Sequence, residues 1–233
     1  MPLDTSKILF EDNHLIIINK KSGEIVQGDK TGDVPLLDEV KNYIKVKYNK
    51  PGDVFLGLIH RLDRPVSGIV MFAKTSKALA RMNELFRERQ ITKKYWAITK
   101  NKPPDTEGTL THYLIKDSAK NKSTAYEIER KGTSKAVLDY KIIAHSDSFY
   151  LIEVNLHTGR HHQIRAQLSA INCIIKGDVK YGYQRANENG SINLHAVYAS
   201  FIHPVNKEKI EIFAPLPEDK TWSLFSQVKK GLN

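Results

Sequence analysis

Two apolar runs, Phe55-Leu56-Gly57-Leu58-Ile59 and Ile69-Val70-Met71-Phe72-Ala73, enclose the polar stretch His60-Arg61-Leu62-Asp63-Arg64-Pro65-Val66-Ser67-Gly68. Runs of five apolar residues bounded by turn formers read as buried strands. A carboxylate carried between two strands has a fixed direction, and arginines on both sides favour a negative charge there. The same arginines can hold phosphates beside it. Asp63 is therefore the first candidate for chemistry.

The rest of the chain supplies more strands than helices. Ile8–Phe10 and Leu15–Ile18 flank a polar turn and predict an opening hairpin. Leu36, Leu37, Val40, Ile44 and Tyr48 recur at helical spacing, with Asp33 as expected cap and Pro35 in the first turn. A second helix is expected over Lys77–Arg89, capped by Thr75 or Ser76, with an apolar stripe of Leu79, Met82, Leu85 and Phe86. Further strands are expected over 90–99, 109–115, 124–129, 136–144, 149–157, 192–202 and 209–213. A helix is expected from His161 to about Ile171, led by Gly159-Arg160, and a last one over Trp222–Lys230. Many short strands with a few helices predict an α+β fold on an antiparallel or mixed sheet.

Charge narrows the partners. Thirty-six lysines and arginines stand against 26 acids, a formal net charge of +10, which favours a polyanion such as nucleic acid. The single cysteine, Cys173, sits in an apolar context and excludes an intrachain disulfide, which fits a reducing cytoplasm. No apolar run approaches the length of a membrane span, and Met1–Thr5 does not read as a signal peptide.

The stretch around Asp63 resembles the central motif of the RluA-type RNA pseudouridine synthases, usually His-Arg-Leu-Asp-x-x-Thr-Ser-Gly. Val66 replaces the usual Thr. Lys93-Lys94-Tyr95-Trp96-Ala97 resembles the family's Lys-x-Tyr-x-Ala segment. Thr158-Gly159-Arg160-His161-His162-Gln163-Ile164-Arg165 resembles its Thr-Gly-Arg-x-His-Gln-Ile-Arg box, with His161 in place of the commoner Thr. Gly177-Asp178-Val179-Lys180-Tyr181-Gly182 resembles the Gly-Asp-x-x-Tyr-Gly turn that follows. The four boxes stand in the family's order and cover most of the chain.

The resemblance implies a curved, mixed, mainly antiparallel sheet with flanking helices and a central cleft, here as a single catalytic domain over residues 1–233. The catalytic-domain pattern begins near Ile8, so no N-terminal S4 RNA-binding domain is expected and RNA contacts fall to the domain's own loops. It implies isomerisation of uridine to pseudouridine in ribosomal or transfer RNA stem-loops, without metal or organic cofactor, by a monomer. Asp63, Tyr95 and Arg165 match the family's catalytic positions, with Arg165 pairing the catalytic Asp and Tyr95 stacking on the target uracil. Arg61 matches the residue that enters the space of a flipped nucleotide, and Ile164 one that contacts the base. Arg64, Lys93, Lys94, Arg160 and Lys180 are candidate phosphate contacts. Asp63 can act as a nucleophile at C1′ or as a base at C2′, and the sequence leaves both routes open.

Three other readings compete. His157, His161 and His162 cluster, but no paired cysteines or His-Glu-x-x-His pattern supports zinc. A binding factor, such as an inactive ribosome-assembly protein, would suit the charge equally. A hydrolase would need a second carboxylate, for which Asp178 or Glu153 are the candidates.

Overall fold

The structure, a computed structural model, describes residues 3–29 and 31–228. In chain order the elements are β1 (Ile8–Glu11), β2 (Leu15–Lys20), α1 (Leu36–Lys47), β3 (Gly57–Leu58), β4 (Ser67–Ala73), α2 (Ser76–Arg87), β5 (Thr92–Thr99), β6 (Glu107–Asp117), β7 (Lys122–Tyr126), β8 (Ser134–His145), β9 (Tyr150–Leu156), α3 (Gln163–Ala170), β10 (Leu194–Ile202), β11 (Lys209–Phe213) and α4 (Lys220–Ser223). The fold is α+β with largely antiparallel sheet, and it divides into two compact units.

The first unit holds residues 1–92 and 196–215. Its strands run in the order β1, β2, β4, β10, with β3 pairing β4 and β11 pairing β10. Ile16, Ile18, Val70 and Phe72 from β2 and β4 pack with Leu36, Val40 and Ile44 from α1. Every residue of β4 is buried, so its continuous apolar run needs no alternation. The preceding run shortens to the two residues of β3, and Phe55 is exposed.

Helix α1 starts without a side-chain cap, on Pro35. Asp33, the expected cap, instead accepts from Arg64 Nη2 at 2.6 Å. At α2 the expected cap holds, since Thr75 Oγ1 accepts from the Ala78 N–H at 3.1 Å.

The second unit holds residues 93–195 and 216–233. Its strands run β5-β9-β8-β6-β7, all neighbours antiparallel. Helix α3 lies against β6 and β7, and Leu114, Ala136, Ala166 and Tyr181 form a small core there. Trp96 and Cys173 are fully buried, as their apolar neighbours predict. The expected C-terminal helix reduces to α4, followed by turns to residue 228; its last positions, Lys229 and Lys230, lie outside the described residues.

Candidate active site

Asp63 occupies a half-buried loop between β3 and β4, closed by the Val66 N–H donating to the Asp63 carbonyl at 3.0 Å. The turn after β2 holds this loop by its carbonyls. Lys20 Nζ donates to Val66 O at 2.7 Å, Lys21 O at 3.0 Å and Arg64 O at 3.2 Å. Ser22 Oγ donates to Pro65 O at 3.0 Å and the Gly23 N–H to Arg64 O at 2.8 Å. Lys20 is fully buried, and burial lowers its pKa to about 7, against the pull of Glu24 and Asp63. In the sequence Lys20-Lys21-Ser22-Gly23 shows only turn character. The available signal is a lysine closing a strand that opens on four apolar residues.

Gly68 ends the motif for a steric reason. Its φ is +110°, and a Cβ there would lie 2.3 Å from the Ala196 carbonyl oxygen. Val66 is buried, and the Thr-to-Val departure keeps the backbone carbonyl that Lys20 uses. Arg61 and Arg64 are exposed, and Arg64 pairs with Asp33.

In the second unit, Tyr95 is buried on β5, opposite Val154 of β9. Side chains alternate along a strand, so Lys93 shares the face of Tyr95 while Lys94 and Trp96 take the other. Lys94 Nζ donates to Glu153 Oε1 at 2.9 Å, and Trp96 Nε1 lies 3.4 Å from Glu153 Oε2. Burial lowers the Lys93 pKa to about 8.

The Thr158–Arg165 box is a local fastening. Gln163 Oε1 accepts from Thr158 Oγ1 at 2.8 Å and from the Arg160 N–H at 2.9 Å, while Gln163 Nε2 donates to Val137 O at 3.1 Å. This self-capping replaces a side-chain cap at His162, which is left-handed at φ +53° and delays the helix to Gln163. Ile164 and Arg165 are buried on α3. Arg165 donates through Nε to Asp178 Oδ2 at 2.7 Å and through Nη2 to Asp178 Oδ1 at 2.8 Å, a bidentate pair almost fully buried on both sides. Arg160 is exposed, its Nε donating to Lys135 O at 3.1 Å, and exposed Lys180 donates to Asn121 O at 3.2 Å.

The three clustered histidines have separate partners. His157 Nε2 meets Asp139 Oδ2 at 2.5 Å, His161 contacts Ser123 Oγ and Asn121 Oδ1, and His162 contacts Tyr181 and Arg165. The two carboxylates weighed for hydrolysis, Asp178 and Glu153, are engaged by Arg165 and Lys94. Asp63, Arg61 and Arg64 thus belong to the first unit; Tyr95, Lys94, Arg160, Ile164, Arg165 and Lys180 belong to the second.

A family profile described as RNA pseudouridylate synthase matches residues 14–170. The chain belongs to this family. It is an RNA pseudouridine synthase of the RluA type, an isomerase of uridine in RNA. It is 34% identical over 216 residues to ribosomal large subunit pseudouridine synthase C of Buchnera aphidicola subsp. Baizongia pistaciae, covering 90% of this chain and 66% of that protein. It is 30% identical over 223 residues to ribosomal large subunit pseudouridine synthase D of Zymomonas mobilis, covering 91% and 70%. The chain therefore spans about two thirds of the length of these curated relatives. Among solved structures, human RNA pseudouridylate synthase domain containing 4 superposes with a TM-score of 0.78 at 26% identity, covering 96% of this chain and 92% of that one. Among the described residues, no helix of this synthase is long and apolar enough to cross a membrane.

Proposed function

We propose that this synthase isomerises specific uridines in structured ribosomal RNA, with Asp63 as the catalytic carboxylate. The observation that carries the reading is the joint presence of Asp63, Tyr95 and Arg165 at the family's positions, within four boxes in register. The names of the curated relatives support ribosomal RNA as the substrate; transfer RNA is the second class to test. A cytoplasmic monomer completes the reading, and a lone thiol such as Cys173 stays reduced there.

In the reaction the C1′–N1 bond breaks and the uracil leaves with the electron pair. The base turns, C5 joins C1′, C5 gives up its proton and N1 gains one. Nothing is oxidised and no group enters from outside. Asp63 serves as nucleophile at C1′, as in retaining glycosidases, or as base at C2′. Arg165 stands at the family position whose arginine holds the charge and rotamer of the catalytic Asp. Tyr95 stacks on the uracil and offers a hydroxyl for proton transfer. Arg61 fills the space of the extruded nucleotide and Ile164 packs on the base. Arg64, Arg160 and Lys180 contact phosphates, each adding affinity with little sequence preference.

The test is tritium release from RNA labelled at uridine C5, with wild type and Asp63→Asn side by side on ribosomal and transfer RNA. Release by wild type alone is expected, with RNA binding by Asp63→Asn within a few-fold, because the phosphate-binding charges are untouched. Binding without release by either protein would favour an RNA-binding factor instead. Free nucleoside as product would favour a hydrolase.

A further inference from the structure

Arg165 is gripped more elaborately than an ion pair requires. Besides its two bonds to Asp178, its Nη1 faces His162 Nε2 at 3.0 Å. A guanidinium only donates, so His162 Nε2 must offer a lone pair. The imidazole proton is then on Nδ1, which lies 3.0 Å from Tyr181 Oη. Tyr181 in turn donates its O–H to Ser123 O at 3.0 Å and accepts the Ser123 N–H at 2.9 Å. Each proton in this chain has one direction, and reversing any of them would strand a buried donor or acceptor.

These contacts engage all three nitrogens of the guanidinium and restrain its rotation. The left-handed backbone of His162 costs about 1–3 kcal/mol, an expense these contacts must offset. Asp178 precedes the short 3-10 turn Val179–Tyr181 and Tyr181 ends it, so the Gly-Asp-x-x-Tyr-Gly turn and the Thr158–Arg165 box meet on a single side chain.

We propose that Asp178 and His162 are positioning residues that aim the Arg165 guanidinium for the isomerisation. The proposal rests on the reading of Arg165 as an active-site residue. In this account neither Asp178 nor His162 touches the reacting atoms.

The experiment is single-turnover isomerisation together with RNA affinity. The variants are Asp178→Asn, Asp178→Glu, Tyr181→Phe, Arg165→Ala, and the pairs of Arg165→Ala with Asp178→Asn and with Tyr181→Phe. Asp178→Asn is expected to lower the rate constant roughly 10- to 100-fold, the scale of a misplaced catalytic group. RNA affinity should stay within about threefold, because no phosphate contact is removed. Asp178→Glu should recover part of the rate, and Tyr181→Phe should lose several-fold. In the Arg165→Ala background neither second change should slow the enzyme further, as expected of groups acting as a unit. Wild-type turnover by Arg165→Ala would defeat the reading of Arg165 and the proposal with it. A slow Arg165→Ala beside fast Asp178→Asn and Tyr181→Phe would overturn the proposal and leave that reading standing. Additive losses in the double variants would also overturn it. If Asp178→Asn does not fold, Tyr181→Phe, which removes one hydroxyl, carries the same comparison.

Discussion

Lys20 Nζ lies 2.7 Å from the carbonyl oxygen of Val66, and the same ammonium reaches the carbonyls of Arg64 and Lys21. A buried lysine therefore serves as a peg for the loop that carries Asp63. In its protonated form three donors meet three acceptors, which is the full capacity of an ammonium.

Replacing Lys20 by Met keeps much of the stem and removes the donors. Arg64 O keeps the Gly23 N–H, and of the three contacts only that to Val66 O is buried. A buried carbonyl left without its donor costs about 1–3 kcal/mol, and unfolding stability should fall by roughly that amount. Isomerisation should fall too, because the Asp63 loop loses its fastening. Urea unfolding and tritium release measure the two effects. An unchanged midpoint and rate would show that the loop is held by its other contacts alone.

Gly68→Ala should be costly for two reasons at once, a positive φ and a Cβ against the Ala196 backbone. The expected loss is about 3 kcal/mol or more. Thermal unfolding within a degree or two of wild type would contradict the close approach.

His162 should be neutral with its proton on Nδ1 across the physiological range. Burial first, and then the charge of Arg165, hold its pKa at about 2 rather than 6.5. The unfolded chain takes up this proton below pH 6.5 and the folded chain does not. The corresponding stability is present above 6.5 and is lost as the pH falls toward 2. Nitrogen-15 spectra of the imidazole should show the Nδ1–H tautomer without titration between pH 5 and 8. A midpoint near 6 would contradict the assigned direction of the hydrogen bonds.

Glu11 supplies a second acid-sensitive contact. Burial raises its pKa, but hydrogen bonds from Lys47, Lys74, Tyr48 and Tyr43 outweigh that and bring it to about 2. A lowered carboxylate stabilises above its unfolded value of 4.5 and loses that stability as the pH falls toward 2. Glu11→Gln should be about 1–2 kcal/mol less stable than wild type at pH 7, and the gap should close in acid. A gap that persists unchanged at pH 2 would assign the effect to packing.

Much of the fold was legible because local pattern and tertiary role agree. The hairpin of β1 and β2, the buried run of β4, the Thr75 cap and the bounds of β11 all follow from apolar spacing and turn chemistry. Three departures share one cause, a distant partner that overrides a local preference. Asp33 was expected to cap α1, but Arg64 takes its carboxylate. The helix expected from His161 waits until Gln163, because His162 turns left-handed toward Arg165 and Tyr181. Asp178 was weighed only as a spare carboxylate, since nothing local shows that Arg165, thirteen positions earlier, will claim both its oxygens. Likewise, the step from Lys94 to Lys93 on β5 changes the face presented, a distinction that a motif written as adjacent lysines hides.

The ladder between β2 and β4 places Lys20 directly opposite Gly68. The excursion between them, including α1 and the Asp63 loop, is closed at both ends by that pairing. Extra residues in the exposed turn around Asn49–Gly52 would lengthen the excursion without changing which strand positions face each other. Descendants of this sequence can therefore diversify that turn, while a single residue gained or lost between Gly68 and Ala73 would shift β4 against β2 and exchange which of its side chains pack on α1.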